Sequence, residues 1–372
     1  MSAGTVAQTP AHSDRPAAKA TTSQTPWLHA LRAAILAAAA VCVVLLAFAW
    51  PNVTAKVQHL PIAAVGNSDQ ISQIASKAPE GALDLRSAAN RDEAIAQIQR
   101  REIYGAIVFG QNPEILVASA ASPVAYQALN QMGSQLQQQI DQQVIAQLKQ
   151  TLQQARGATP PAGAPQAGAQ QAGAATPTVT VTDVVPLSSD DPRGTGLAIA
   201  GLPLAMGGMI GGILISLFVS GTWRRIGAVL AYGVVGGLGL AGILQGWFHV
   251  LQGSFWINAG AIGLGIAATA AFIAGLNALI GRAGIAVGAV ITMLIGNPLS
   301  ALTLPKEFLP APWGDVGQWL VPGASGTLLR NLSYFPSADS LLPWLVLAGW
   351  AVAGVVLIAV GRHRNEPAPV EV

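Results

Sequence analysis

Residues 226–281 read IGAVLAYGVVGGLGLAGILQGWFHVLQGSFWINAGAIGLGIAATAAFIAGLNALIG, without one Asp, Glu, Lys or Arg. A bilayer core about 30 Å thick needs roughly 20 apolar helical residues to cross it. The stretch is long enough for two crossings, joined by the loop His249–Trp256. Arg224 and Arg225 bound it on one side and Arg282 on the other. The same reading extends outward. Leu197–Ser220, Ile226–Trp247, Ile257–Ile280, Ile285–Leu304 and Leu341–Val360 are five uncharged runs of crossing length. A sixth, Ala33–Trp50, follows Arg32 and stops at Trp50-Pro51. Ala47-Phe48-Ala49 resembles a signal-peptide cleavage site. The long region 1–32 before the run, and an apolar core beyond the roughly 7–15 residues of a signal peptide, favour a retained anchor.

Composition agrees. Charged residues are 10% of the 372, against about 25% in a soluble domain, and hydrophobic residues are 52%. Mean hydropathy is +0.48. A soluble enzyme and a disordered chain are both excluded, and the lipid bilayer is the first partner. The net charge of +2 gives no nucleic-acid footprint. The single cysteine, Cys42, excludes an internal disulfide and a cysteine-built zinc site. None of Lys19, Lys56, Lys77, Lys149 or Lys306 sits in a Walker A motif, so nucleotide-driven work requires a separate ATPase subunit. Gly237-x-Gly239-x-x-Gly242 matches a dinucleotide fingerprint, but no strand precedes it. In a membrane helix such glycines let neighbours approach closely, as do Gly207, Gly208, Gly211, Gly212, Gly284 and Gly288. The histidines are scattered without metal spacing, and His249 reads as an interfacial side chain. Asp183, Asp190 and Asp191 read as a solvated junction. Asn258, Asn277, Asn297, Gln245 and Thr292 are the polar side chains within or beside the helices, each able to bond a neighbouring helix. No catalytic constellation stands out; the expectation is a non-enzyme without cofactor or metal.

Orientation follows from the basic residues, which collect on the cytoplasmic side. Six crossings put Arg32, Arg224, Arg225, Arg282, Arg362 and Arg364 all inside. The tails 1–32 and 362–372 are then cytoplasmic in a bacterial plasma membrane. Residues 51–196, the His249–Trp256 loop and residues 305–340 lie outside, and 197–361 holds helices two to six.

The outer part begins with alternating short elements. Pro61–Val65, Ala82–Leu85, Gly105–Phe109 and Ile115–Ala118 suit strands. Asp69–Ser76 and Arg91–Arg101 have helical spacing, the second with Asn90 as its cap. Tyr126–Gln154 is Gln-rich, with Leu129, Met132, Leu136, Ile140, Val144, Leu148 and Leu152 three or four apart, a long amphipathic helix. Residues 157–177 hold only Ala, Gly, Pro, Gln and Thr, a flexible linker. Thr178–Val185 returns as a strand. The fold class is an α-helical polytopic membrane protein of six transmembrane helices, with an inserted extracytoplasmic α/β domain carrying a long Gln-rich helix.

Gly296–Tyr334 lies outside in this map yet is rich in Trp, Leu and Pro. Pro305, Pro310, Pro312 and Pro322 divide it into short helices, and Trp313 and Trp319 suit a membrane interface. It reads as a segment that enters the outer leaflet and returns, with Asn297, Pro298, Pro305, Pro310, Trp313, Trp319, Pro322 and Arg330 as its outer-gate residues.

One N-terminal helix, a large external domain, five more helices and a Pro/Trp-rich segment before the last resemble the ABC-2-type exporter permeases, in their phage-infection-protein (Pip)-like branch. Pro61-Ile62-Ala63-Ala64-Val65-Gly66-Asn67 resembles that branch's first external strand. Asp92–Arg101 followed by Tyr104-Gly105-Ala106-Ile107-Val108-Phe109 resembles its external α/β region. Leu309-Pro310, Trp319-Leu320 and Pro322 resemble its re-entrant pair. The resemblance implies a homodimer or heterodimer, a partner ATPase, and export of an amphipathic or hydrophobic cargo; the mechanism expected is alternating access at a dimer interface lined by helices two and five. One departure is the loop between helices two and three, here little more than Gly221–Arg225, where such permeases engage the ATPase. The competing class is a non-transporting membrane scaffold or surface receptor whose external domain binds an envelope partner.

Overall fold

The computed structural model describes residues 27–157 and 177–364, apart from 68, 70, 73–75, 77, 78, 111 and 193. Residues 158–176 of the linker, half of the 69–76 helix, residues 1–26 and the tail beyond 364 lie outside the described residues. The chain divides into two units, Met1–Leu46 and Ala47–Val372. Helix α1, Trp27–Thr54, carries exposed Leu36, Val41 and Leu45 along its apolar run.

Within Ala47–Val372 a five-stranded sheet comes first. Its strands are β1 (Leu60–Val65), β2 (Leu83–Ser87), β3 (Gly105–Val108), β4 (Glu114–Val117) and β5 (Thr180–Asp183), in the order β2-β1-β3-β4-β5. β1 runs parallel to both neighbours, β3 and β4 are antiparallel, and β5 lies parallel to β4. β1 reads as a nearly continuous apolar run because it is central and covered on both faces. Ile62, Ile107, Ile115, Leu116 and Leu129 are all within 1% of full burial. Each such side chain contributes about 1.5–3 kcal/mol relative to exposure. Helix α2, Arg91–Gln99, starts where expected: Asn90 Oδ1 accepts from Glu93 N at 2.9 Å, and Glu93 Oε2 accepts from Ala89 N at 2.7 Å. The long helix α3, Pro123–Gly157, crosses from β4 back to β5. Gln137 ties it to β5, accepting from Val179 N at 2.6 Å.

Five helices are long and apolar enough to cross a membrane: Ala34–Pro51 of α1, Ala200–Phe218 of α4 (Thr195–Phe218), α5 (Thr222–Trp247), α6 (Phe255–Ile280), and Leu341–Gly361 of α10 (Leu341–Arg364). α6 is buried along most of its length, with α4, α5 and α10 packed around it. Small residues set the closeness of this packing. A Cβ built on Gly237 would lie 2.5 Å from Ala259 O, and one on Gly263 would lie 2.5 Å from Gly233 O. Gly239 and Gly242 meet nothing within 4 Å, so only the first glycine of the apparent fingerprint is a packing residue.

The structure corrects one crossing. Ile285–Leu304 is not a single rod. Helix α7, Arg282–Gly296, is apolar but shorter, about 22 Å at 1.5 Å per residue, and is followed by a 3-10 turn at Pro298–Ser300. Its last turns, Val290–Gly296, have widened to π geometry. The cause is local. Pro298 has no N–H to continue the ladder, and its ring crowds the carbonyl one turn before it. After the turn come α8 (Trp313–Gln318) and α9 (Val321–Tyr334).

Candidate functional site

The broken element and the two short helices after it form one assembly inside the bundle. Pro322, at the start of α9, packs on Gly296, where α7 ends. A crevice of about 30 Å³ brings Val321, Pro322 and Ser325 together with Gly201 of α4, and Gly265 and Thr269 of α6. Thr269 lies about 21 Å along α6 from Phe255. At its other end α9 reaches the loop between α5 and α6, where Tyr334 Oη donates to Val250 O at 2.7 Å. α9 therefore runs from the middle of α6 to its first turn. α8 sits against the 3-10 turn; a methyl on Gly317 would overlap the Leu299 carbonyl, so only glycine fits there. Trp350 Nε1 of α10 donates to Trp319 O at 2.8 Å and holds the α8–α9 corner.

The gate residues expected from the sequence divide into three environments. Pro305, Pro322 and Arg330 are buried. Trp313 and Trp319 are exposed by 43% and 61%, with a long indole free to meet a surrounding medium. Asn297 and Pro298 line a larger cavity beside α4.

A seam ties this assembly to the sheet layer. Its origin is the end of α2. Glu102 N donates to Gln97 O at 3.0 Å and Arg101 N donates to Ile98 O at 2.9 Å, the two bonds of a Schellman cap. The left-handed position of that cap, normally glycine, is Arg101 at φ 56°. A non-glycine residue there costs about 1–2 kcal/mol. The strained backbone carries the Arg101 side chain to the seam, where Nη1 donates to Asn331 Oδ1 and the guanidinium stands 5.5 Å from the Phe335 ring centroid. Burial pushes the guanidinium below its ordinary value, against the pull of Tyr104 and Glu307. Beside it Tyr104 Oη donates to Glu307 Oε2 at 3.1 Å. Burial, helped by the Glu307 charge, raises the Tyr104 phenol, so it remains a donor. Arg330, 8% exposed, donates from Nη2 to Leu302 O at 2.8 Å, and Asn331 Nδ2 donates to Asp339 O and Ser340 Oγ at 3.2 Å each. Charged and polar side chains are rarely buried without partners. The pairs Arg101–Asn331 and Tyr104–Glu307 join two parts of the chain some two hundred positions apart.

Of the residues singled out in the sequence, Arg330 belongs to this seam, while Arg101, Tyr104, Glu307 and Asn331 were missed. The doublet Arg100-Arg101 three residues before Tyr104, in a chain so poor in charge, was the available signal. Several of the remaining polar residues have structural partners. Asn258 Nδ2 donates to Gln245 Oε1 at 2.9 Å, linking α6 to α5, and Asn277 Nδ2 donates to Ser216 O at 3.4 Å, linking α6 to α4. Asp191 Oδ2 accepts from Gly196 N at 2.7 Å, and Asp183 Oδ1 from Ser119 N at 3.1 Å. Arg225 donates to Val219 O at 2.8 Å and closes the α4–α5 turn. Gly208, Gly211, Gly212 and Gly288 face Thr269, Tyr232, Ala270 and Ile273 across helix contacts, whereas Gly284 sits under the backbone at Leu276 in the α6–α7 turn. Gly207 is in looser contact: Tyr232 Oη donates to its carbonyl at 2.6 Å. Cys42 and His249 are exposed. No protein-family model, no curated protein and no solved structure matches this chain.

Proposed function

We propose that the chain is a multi-pass bacterial plasma-membrane protein with six crossings, both termini in the cytoplasm, and the activity of an ABC-2-type export permease subunit. The remaining crossing is α7 completed by the 3-10 turn and the irregular chain after it. The sheet and α3 stand outside, and the Asn297–Arg330 assembly is the outer gate. The chain works as a dimer with a separate ATPase and moves an amphipathic or hydrophobic cargo. The observation that carries this reading is a helix broken inside the bundle whose continuation is fastened to the sheet layer through Arg101–Asn331 and Tyr104–Glu307. Such a seam makes movement of the outer layer and movement of the gate one event. The crevice between α4, α6 and α9 holds about 30 Å³, one water's share of volume. A cargo path accordingly belongs at the surface between two copies.

A specific feature favours a second reading, a membrane scaffold or surface receptor. The α4–α5 turn, Val219–Gly221, is three residues long and offers an ATPase no docking helix. Affinity purification in mild detergent followed by mass spectrometry of the co-purifying chains separates the two. A nucleotide-binding subunit in stoichiometric amount supports the permease. Purification without one, together with unchanged efflux after deletion, supports the scaffold.

A further inference from the structure

Two guanidiniums stand in the seam between the sheet layer and α9 without an ion-pair partner. None of the four ion pairs among the described residues includes Arg101 or Arg330. Arg330 is 8% exposed and Arg101 is half-buried. Their charges act on each other, and both act on the Tyr104 phenol. The negative charge that reaches Arg101 and Tyr104 is Glu307, whose carboxylate already accepts from Tyr104 Oη. Two cations therefore face one anion. A charge held away from water is costly unless it is paired, so the cluster calls for a second anion.

The donors for it are free. Arg101 uses Nη1 on Asn331 Oδ1, and Arg330 uses Nη2 on Leu302 O. Nε and Nη2 of Arg101, and Nε and Nη1 of Arg330, make no hydrogen bond. None of these four is among the sealed, unpartnered side-chain atoms of the described residues, so each keeps an open edge. Guanidinium forks match the oxygens of an oxyanion two at a time. The level of the seam is set by its neighbours. Asn331 bonds Asp339 O and Ser340 Oγ just before α10, and Tyr334 bonds Val250 O in the loop before α6. The seam thus lies at the ends of two helices of crossing length, the level at which a bilayer presents its headgroups.

We propose that Arg101 and Arg330 together bind a phosphate group at this seam, carried by a lipid headgroup or free in solution. The lipid source rests on the membrane placement proposed above. Neither source depends on export, an ATPase or cargo movement, so the binding and transport readings fail separately.

The test is a titration of the purified full-length chain in dodecyl maltoside, read by native mass spectrometry and by the thermal unfolding midpoint. The two probes are inorganic phosphate and dioleoyl phosphatidylglycerol, at an ionic strength held constant with sodium chloride. The expected result is saturable binding of one phosphate-bearing molecule per chain. Response to both probes supports the site with the free anion sufficient, and response to the lipid alone supports it with the headgroup as source. Arg101→Gln and Arg330→Gln are each expected to weaken binding at least about tenfold, the loss of a charge-assisted hydrogen bond. Glu307→Gln keeps an acceptor for Tyr104 and removes the competing charge; it is expected to tighten binding at least about threefold, a gain that a misfolded variant cannot give. Binding of neither probe, affinities unchanged in both arginine variants, or binding not tightened by Glu307→Gln overturns the proposal.

Discussion

Replacing Asn331 by Leu takes the acceptor from a buried guanidinium. Asn331 is 3% exposed; its Oδ1 accepts from Arg101, and its Nδ2 makes two bonds of its own at 3.2 Å. Neutral hydrogen bonds are worth about 1 kcal/mol each and one to a charged group about 1.5–3 kcal/mol. Asn331→Leu in the native chain therefore costs about 3.5–5 kcal/mol. In an Arg101→Met background the charge is gone, and the same change costs only about 2 kcal/mol. Arg101→Met itself is the milder single change, because an apolar stem needs no desolvation of charge. What it loses is the bond to Asn331 and the contact with Phe335, the latter on the order of 0.5–2 kcal/mol. The cycle thus gives a coupling of about 1.5–3 kcal/mol between residues 230 positions apart. The assay is denaturant unfolding in dodecyl maltoside micelles, read by tryptophan fluorescence. A coupling below about 0.5 kcal/mol, the range of independent sites, refutes the seam.

Gly237→Val drives a branched side chain into the Ala259 carbonyl and is expected to reduce the yield of monodisperse protein, whereas Gly239→Val, facing open space, is not; equal loss in both contradicts the α5–α6 packing. Glu114 accepts from Arg91 at 2.7 and 2.9 Å and from Thr182 at 2.6 Å, and the Arg91 bond above all holds its carboxyl below the ordinary value. A depressed folded value gives stability that is present above the unfolded value, about 4.3, and lost as pH falls through the folded one. Glu114→Gln is therefore expected to flatten the acid limb of thermal stability between neutral pH and roughly pH 3, and profiles that run parallel argue against the pair. Asn90→Ala removes the cap of α2 and is expected to destabilise the sheet layer by about 1 kcal/mol, measured by hydrogen exchange of the α2 amides.

Much of the architecture was legible because it is local. A charge-free run announces a rod, and four of the five long runs after Arg32, together with Ala33–Trp50, appear as helices of crossing length. The cap at Asn90, the strands β1 to β5 within two residues, and the long helix over 126–154 were readable from spacing alone. The fifth run failed because hydropathy is blind to backbone chemistry: Ile285–Leu304 is apolar throughout, and Pro298 ends the helix nonetheless. The seam left almost no trace. Arg101 and Asn331, like Tyr104 and Glu307, meet only through the tertiary fold, and neither pair follows a helical or strand period. The left-handed Arg101 was equally hidden, since the sequence around it carries no glycine to mark the cap.

The account stands on the threading of the uncharged helices through the bilayer, and cysteine labelling tests that most directly. In a Cys42→Ala background, single cysteines are placed by Arg225→Cys, Arg282→Cys and, on the exposed face of α3, Gln142→Cys. Intact cells are then treated with a membrane-impermeant maleimide. The expected result is labelling at position 142 without permeabilisation, and at 225 and 282 only after it. Positions 225 and 282 reacting from opposite faces contradicts the threading, and with it the placement of the gate and the outer layer.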